Sequence, residues 1–148
     1  MFSRWFQQEK IIKLGFEDVL YGIHHNDQCI LINTMPHNLQ YCLIQNTLLI
    51  HIEEQTINQL INQNKLQMKI ILYGKNSTDD TCDKKYKQLC DLGFSEVYIY
   101  AGGMFEWLLL QDIYSNAEFP TTSKINDILL YKPPSLLHIQ RLGNGQTT

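Results

Sequence analysis

At 148 residues the chain is long enough for a single domain with a substantial core. Its 12 basic and 15 acidic residues leave a formal charge of −3, which offers no electrostatic footprint for nucleic acid or an anionic membrane. The hydrophobic content of 44% is that of a globular protein, and no apolar run approaches membrane-spanning length.

The first residues, Met1-Phe2-Ser3-Arg4-Trp5-Phe6, lack the apolar segment of a secretory signal, so a cytoplasmic location is expected. Phe2, Trp5 and Phe6 read equally as an exposed aromatic anchor for a partner or as residues folded back onto the domain. Cys29, Cys42, Cys82 and Cys90 form no CxxC pair and share no metal spacing with histidine. Free thiols are expected, with no metal and no cofactor. The chain is rich in Ile and Asn and poor in Ala, a bias of AT-rich coding sequences such as those of large DNA viruses and protists. For a viral source, the compartment would be the host cytoplasm or the virion.

Strand and helix signals alternate along the chain, the pattern of a parallel sheet covered on both faces. Lys10 to Lys13 reads as a short first strand, and Phe16 to Tyr21 as a helix with Phe16, Val19 and Leu20 on one face. Cys29 to Asn33 is a continuous apolar run, as expected of a strand buried on both sides. Leu48 to Ile52 is the next strand candidate, followed by a helix from Glu53 to Gln63. Lys69 to Tyr73 is a further buried strand.

The polar loop Gly74-Lys75-Asn76-Ser77-Thr78 leads into a helix, with Ser77 or Thr78 as the expected cap. Asp79, Asp80 and Asp83 lie near the positive end of its dipole. Cys82, Tyr86, Leu89 and Cys90 fall on one face, and Lys84, Lys85 and Lys87 read as its solvated side. Gly93 suits a left-handed helix end. Val97 to Tyr100 is the last strand, Gly102-Gly103 a turn, and Met104 to Ile113 an apolar helix. Beyond Pro133-Pro134, the apolar Leu136, Leu137, Ile139 and Leu142 either dock on the domain or contact a second chain, and Gly143 to Thr148 reads as disordered.

Several of these segments together resemble the rhodanese-like sulfurtransferases. The match is strongest over residues 69–120, above all in Leu89-Cys90-Asp91-Leu92-Gly93-Phe94, strand Val97 to Tyr100, Gly102-Gly103 and Glu106-Trp107. The resemblance implies an α/β domain over residues 1–122, with a parallel sheet of about five strands and helices on both faces. Residues 123–148 are then a partly disordered extension. The family's second strand ends in Asp before Arg, where this chain has Asn33 and Thr34. Its nucleophilic cysteine follows the strand matched by Lys69 to Tyr73, where this chain has Gly74. In the family, backbone N–H groups of the following loop lower the thiol pKa and hold the anionic substrate.

The resemblance therefore implies a catalytically inactive domain that acts as a binding or regulatory module. The expected partner is another protein. The loop Gly74, Lys75, Asn76, Ser77, Thr78 and Asp79 is a vestigial site for a small anion, or an ordinary strand-to-helix turn. Asp79 and Asp80 compete with such an anion for the same positive field. The alternative is a thiosulfate or persulfide sulfurtransferase using Cys82 as a displaced nucleophile, although its helix register directs it into the core. A phosphatase of the related arsenate-reductase type also needs a loop cysteine and a closing arginine, and has neither here. His24, His25, His37 and His51 have no carboxylate or cysteine at ligand spacing. Glu106 reads as an acid placed by a helix dipole, and Trp107 as a core residue.

Overall fold

The computed structural model describes residues 10–137. The N-terminal aromatics Phe2, Trp5 and Phe6 lie outside that range, as do Ile139, Leu142 and the segment 143–148. Eight regular elements follow in order: β1 (Lys13–Leu14), α1 (Phe16–His24), β2 (Cys29–Asn33), α2 (Ile50–Asn62), β3 (Lys69–Tyr73), α3 (Thr81–Asp91), β4 (Val97–Tyr100) and α4 (Gly103–Ile113). Short 3-10 turns occupy His37–Leu39 and Ile128–Tyr131. All strands are parallel, in the order β1-β4-β3-β2.

The central strand β3 shows why the sheet is covered twice. Ile70 and Leu72 point to one face, where they meet Ile57 and Leu60 of α2 and Cys82 and Leu89 of α3. Ile71 and Tyr73 point to the other, where they meet Val19 and Ile23 of α1 and Met104, Trp107 and Leu108 of α4. Burial of each such aliphatic side chain contributes roughly 1.5–3 kcal/mol, so β3 is anchored from both sides. Tyr73 is fully buried, and its hydroxyl accepts from Ile44 N at 3.1 Å and lies 2.7 Å from Thr47 Oγ1. Strand β3 thereby fixes the point at which the next loop leaves the sheet.

Three segments differ from the sequence expectation. The first strand is Lys13–Leu14, displaced from the 10–13 segment. The candidate strand Leu48 to Ile52 is the entrance to α2: only Thr47 bridges the sheet, opposite Leu31, and the helix begins at Ile50. Leu49, Ile50 and Ile52 are exposed, and a short apolar run carries no period that separates a strand from a helix start. The packed unit also continues beyond residue 122. Ile125 and Ile128 pack on the core, and Tyr131 is fully buried within it. Leu136 and Leu137, beyond the double proline, are exposed at 74% and 80%. Among the described residues, no helix is long and apolar enough to cross a membrane.

Candidate functional site

The carboxyl ends of β2, β3 and β4 converge on the loop from Gly74 to Asp80, the position where open parallel sheets bind ligands. The loop turns around two side chains. Asn76 is buried, and its Oδ1 accepts from Thr78 N at 3.0 Å and Thr78 Oγ1 at 2.8 Å. Its Nδ2 donates to Tyr131 O at 3.0 Å, which ties the loop to the C-terminal segment. Asp79 makes the second turn. Its Oδ2 accepts from Lys75 N at 3.0 Å, and its Oδ1 accepts from Thr81 N at 3.0 Å and Thr81 Oγ1 at 2.8 Å.

Asp79 therefore places its carboxylate against the backbone N–H groups of Lys75 and Thr81. It also fills the space beside Gly74: a Cβ built there would lie 2.6 Å from Asp79 Oδ2 and 3.2 Å from Thr34 Oγ1. The expected caps Ser77 and Thr78 do not perform that role. Helix α3 starts at Thr81, and the carboxylate reaching its first N–H is that of Asp79, two residues back, an Asx turn. Asp80, by contrast, is exposed.

Burial by itself pushes the Asp79 carboxyl up, but the bonds from Lys75 N and Thr81, with the Lys75 charge, outweigh it and hold the group below its ordinary range. A carboxylate depressed in the folded state stabilises above its unfolded pKa, near 3.8, and loses that contribution as pH falls through the folded value. Asp79→Asn should thus be less stable than wild type at neutral pH. The difference should be flat down to ordinary carboxylate pH and shrink below it. Urea unfolding of both proteins from neutral to acid pH checks this, and a pH-independent difference would count against it.

Helix α4 packs directly beneath the loop. Met104 N donates to Gly74 O and Phe105 N to Lys75 O, both at 2.9 Å. Gly103 has φ +67°, and a Cβ there would lie 2.9 Å from Gly74 O and 3.0 Å from Asn76 N. Glu106 folds back over Gly102, filling the space of its missing Cβ, and accepts from Tyr100 Oη at 2.6 Å. Two openings flank the loop. A cleft of about 710 Å³ lies between Thr34, the loop and the segment Leu129 to Pro134. A smaller cavity of about 130 Å³ is lined by Lys13, Gly74, Asp79, Asp80, Cys82 and Asp83, among others.

No protein-family model matches the chain, and no curated protein does. Solved structures do match. The crystal structure of the Alr3790 protein from Anabaena sp. superposes with a TM-score of 0.54 at 15% identity, over 79% of this chain and 96% of that one. The solution structure of the rhodanese-like domain of Alr3790 gives 0.53 at 15%, over 85% and 93%. The Saccharomyces cerevisiae single-domain sulfurtransferase RDL2 gives 0.50 at 14%, over 74% and 98%. This chain has the rhodanese-like fold. At such identities the likeness concerns the backbone alone.

Within the rhodanese-like fold, Gly74 to Asp79 form one loop, and Cys82 lies directly behind it. Cys82 is 4% exposed, and its Sγ is 3.4 Å from Thr34 Oγ1. Burial, with Asp79 and Asp83 nearby, pushes its thiol up to about 11 despite the Thr34 contact. Burial likewise raises Cys29 to about 11, and Cys42 is buried. Asn33 braces the turn after β2, accepting from Met35 N at 3.0 Å and from the Gln40 side-chain Nε2 at 2.7 Å. The histidines do not converge. His24, His37 and His51 are exposed on separate elements, and His25 stacks on Tyr21 with ring centroids 3.9 Å apart. Among the described residues, no group of three His, Cys, Asp or Glu side chains is placed to hold a metal ion. Thr34 and Thr81, whose hydroxyls meet at 2.7 Å, and the Tyr100–Glu106 pair also belong to this region. The sequence marked Thr34 only as a departure from the family pattern.

Proposed function

We propose that this domain is a rhodanese-fold binding module without sulfurtransferase activity, and that Gly74 stands where the fold's nucleophile would be. The observation that carries this reading is the Asp79 carboxylate. It occupies the loop N–H of Lys75 and lies 2.6 Å from the Cβ position of residue 74. The loop thus holds an anion of its own chain, and a side chain at residue 74 would collide with it.

A sulfur-transfer reading centred on Cys82 has one observation in its favour, that Cys82 lines the small cavity beneath the loop. Against it stand the burial of the thiol and the two aspartates that oppose its ionisation.

Thiosulfate-to-cyanide sulfur transfer separates the two. Wild type and Gly74→Cys should both stay at background, the latter because Asp79 blocks the new thiol. Gly74→Cys combined with Asp79→Ala should show measurable transfer, because the second change frees the loop N–H groups and removes a like charge worth on the order of 1 kcal/mol. Asp80→Asn should add little, since Asp80 is exposed. Wild-type turnover that disappears in Cys82→Ser would overturn the binding-module reading.

A further inference from the structure

We propose that the cleft beside the loop docks a peptide segment of a partner protein that presents carboxylates next to apolar side chains. The proposal rests on the binding-module reading and names the partner chemistry of that same site. The cleft, of about 710 Å³, opens at the carboxyl ends of β2 and β3. Its outer wall is the segment Leu129 to Pro134, held against the loop by the Asn76–Tyr131 bond and by the buried Tyr131 ring. Both walls are therefore built by the fold.

Charge and surface decide the occupant. Lys75 and Lys132 line this cleft against a single carboxylate, Asp79, whose oxygens face Lys75 N and Thr81. Neither lysine takes part in an ion pair among the described residues. In four other clefts on the described surface, carboxylates equal or outnumber lysines. This positive site sits on a chain whose net charge is −3. Leu129 and Leu130 are 62% and 44% exposed and supply an apolar rim beside the charges. An acidic-apolar segment satisfies both features. The chain's own C-terminal segment does not: residues 135–148 carry His138 and Arg141 and no Asp or Glu.

The test is an amide chemical-shift titration of the full chain with a short capped peptide of alternating Leu and Glu. Its counterpart with Lys for Glu serves as a comparison. The acidic peptide should shift residues 74–79 and 129–134, and binding should weaken with added salt. Lys132→Glu should weaken it at least about tenfold, as reversal of a contacting charge does. Lys75→Glu should do the same, and Lys65→Glu, on an exposed site outside the cleft, should not. Lys132 lies outside the loop, so its variant remains informative if Lys75→Glu folds poorly.

A dissociation constant weaker than about 1 mM for the acidic peptide would overturn the proposal. Equal binding of the basic peptide would do so too, as would indifference to both lysine changes. Self-association through the cleft that excludes the peptide would likewise overturn it, in favour of a second copy as occupant. Sulfur transfer is measured separately on the same protein. Failed docking in an inactive protein therefore removes the cleft proposal alone, whereas Cys82-dependent turnover removes the reading beneath it.

Discussion

Trp107→Ala should lower the unfolding free energy by roughly 3–5 kcal/mol, as large-to-small truncations in a sealed core do. Trp107 is fully buried on α4. Its ring meets Phe119 edge-on at 5.2 Å and Tyr100 at 6.2 Å, and its Nε1 donates to Pro120 O at 3.2 Å. Truncation leaves a cavity, strips two aromatic rings of their partner and removes one of the two hydrogen bonds to Pro120 O, which keeps the one from Gln45 N at 3.1 Å. For a domain of this size the Tm should fall by roughly 10 °C. Thermal and urea unfolding measure it. A loss below about 1 kcal/mol would mean that α4 and the segment after it are peripheral to the fold.

The second large effect is expected at a residue with no side chain. Gly103→Ala should cost about 2–4 kcal/mol, combining an unfavourable left-handed backbone with a collision. The atoms in the way are backbone atoms of Gly74 and Asn76, which no rotamer change can move aside. Relief requires α4 to back away, breaking the bonds from Met104 N to Gly74 O and Phe105 N to Lys75 O. The damage should therefore appear at the loop as well, as faster amide exchange there. Gly15→Ala is the control. Nothing lies within 4 Å of a Cβ at Gly15, whose φ is −97°, so that change should be within about 0.5 kcal/mol of neutral. Equal costs at the two glycines would refute the close-approach argument.

The strands β2, β3 and β4 were legible from sequence because each is a compact apolar run bounded by polar residues, and both faces of the sheet need such runs. The αL end of α3 was legible in Gly93, which has φ +109°. The entrance to α2 was not, because Leu48 to Ile52 is apolar without a readable period, and the exposed Glu54 that follows serves either reading. At the loop the chemistry was legible and the placement was not. Asp79 and Asp80 are equivalent to a reader of composition, yet one turns inward to three donors and the other faces solvent. The spacing of Asp79 before Thr81 is the local sign of that Asx turn. The Asn76–Tyr131 bond spans 55 positions, and only the folded chain brings its ends together.

The carboxylate of Asp79 has a consequence for how the loop responds to solution conditions. A ligand attached through its own backbone, four residues from its binding partner, has an effective concentration of roughly millimolar or higher and cannot be diluted away. A loop that needs a diffusible anion to become ordered would report the metabolite level around it. Here a tethered carboxylate already holds the Lys75 N–H, so a diffusible sulfate, phosphate or thiosulfate has to displace it, and that contact is lost as Asp79 is protonated. Under the binding-module reading proposed above, a small anion is a weak competitor at this loop, and control acts through the surface beside it.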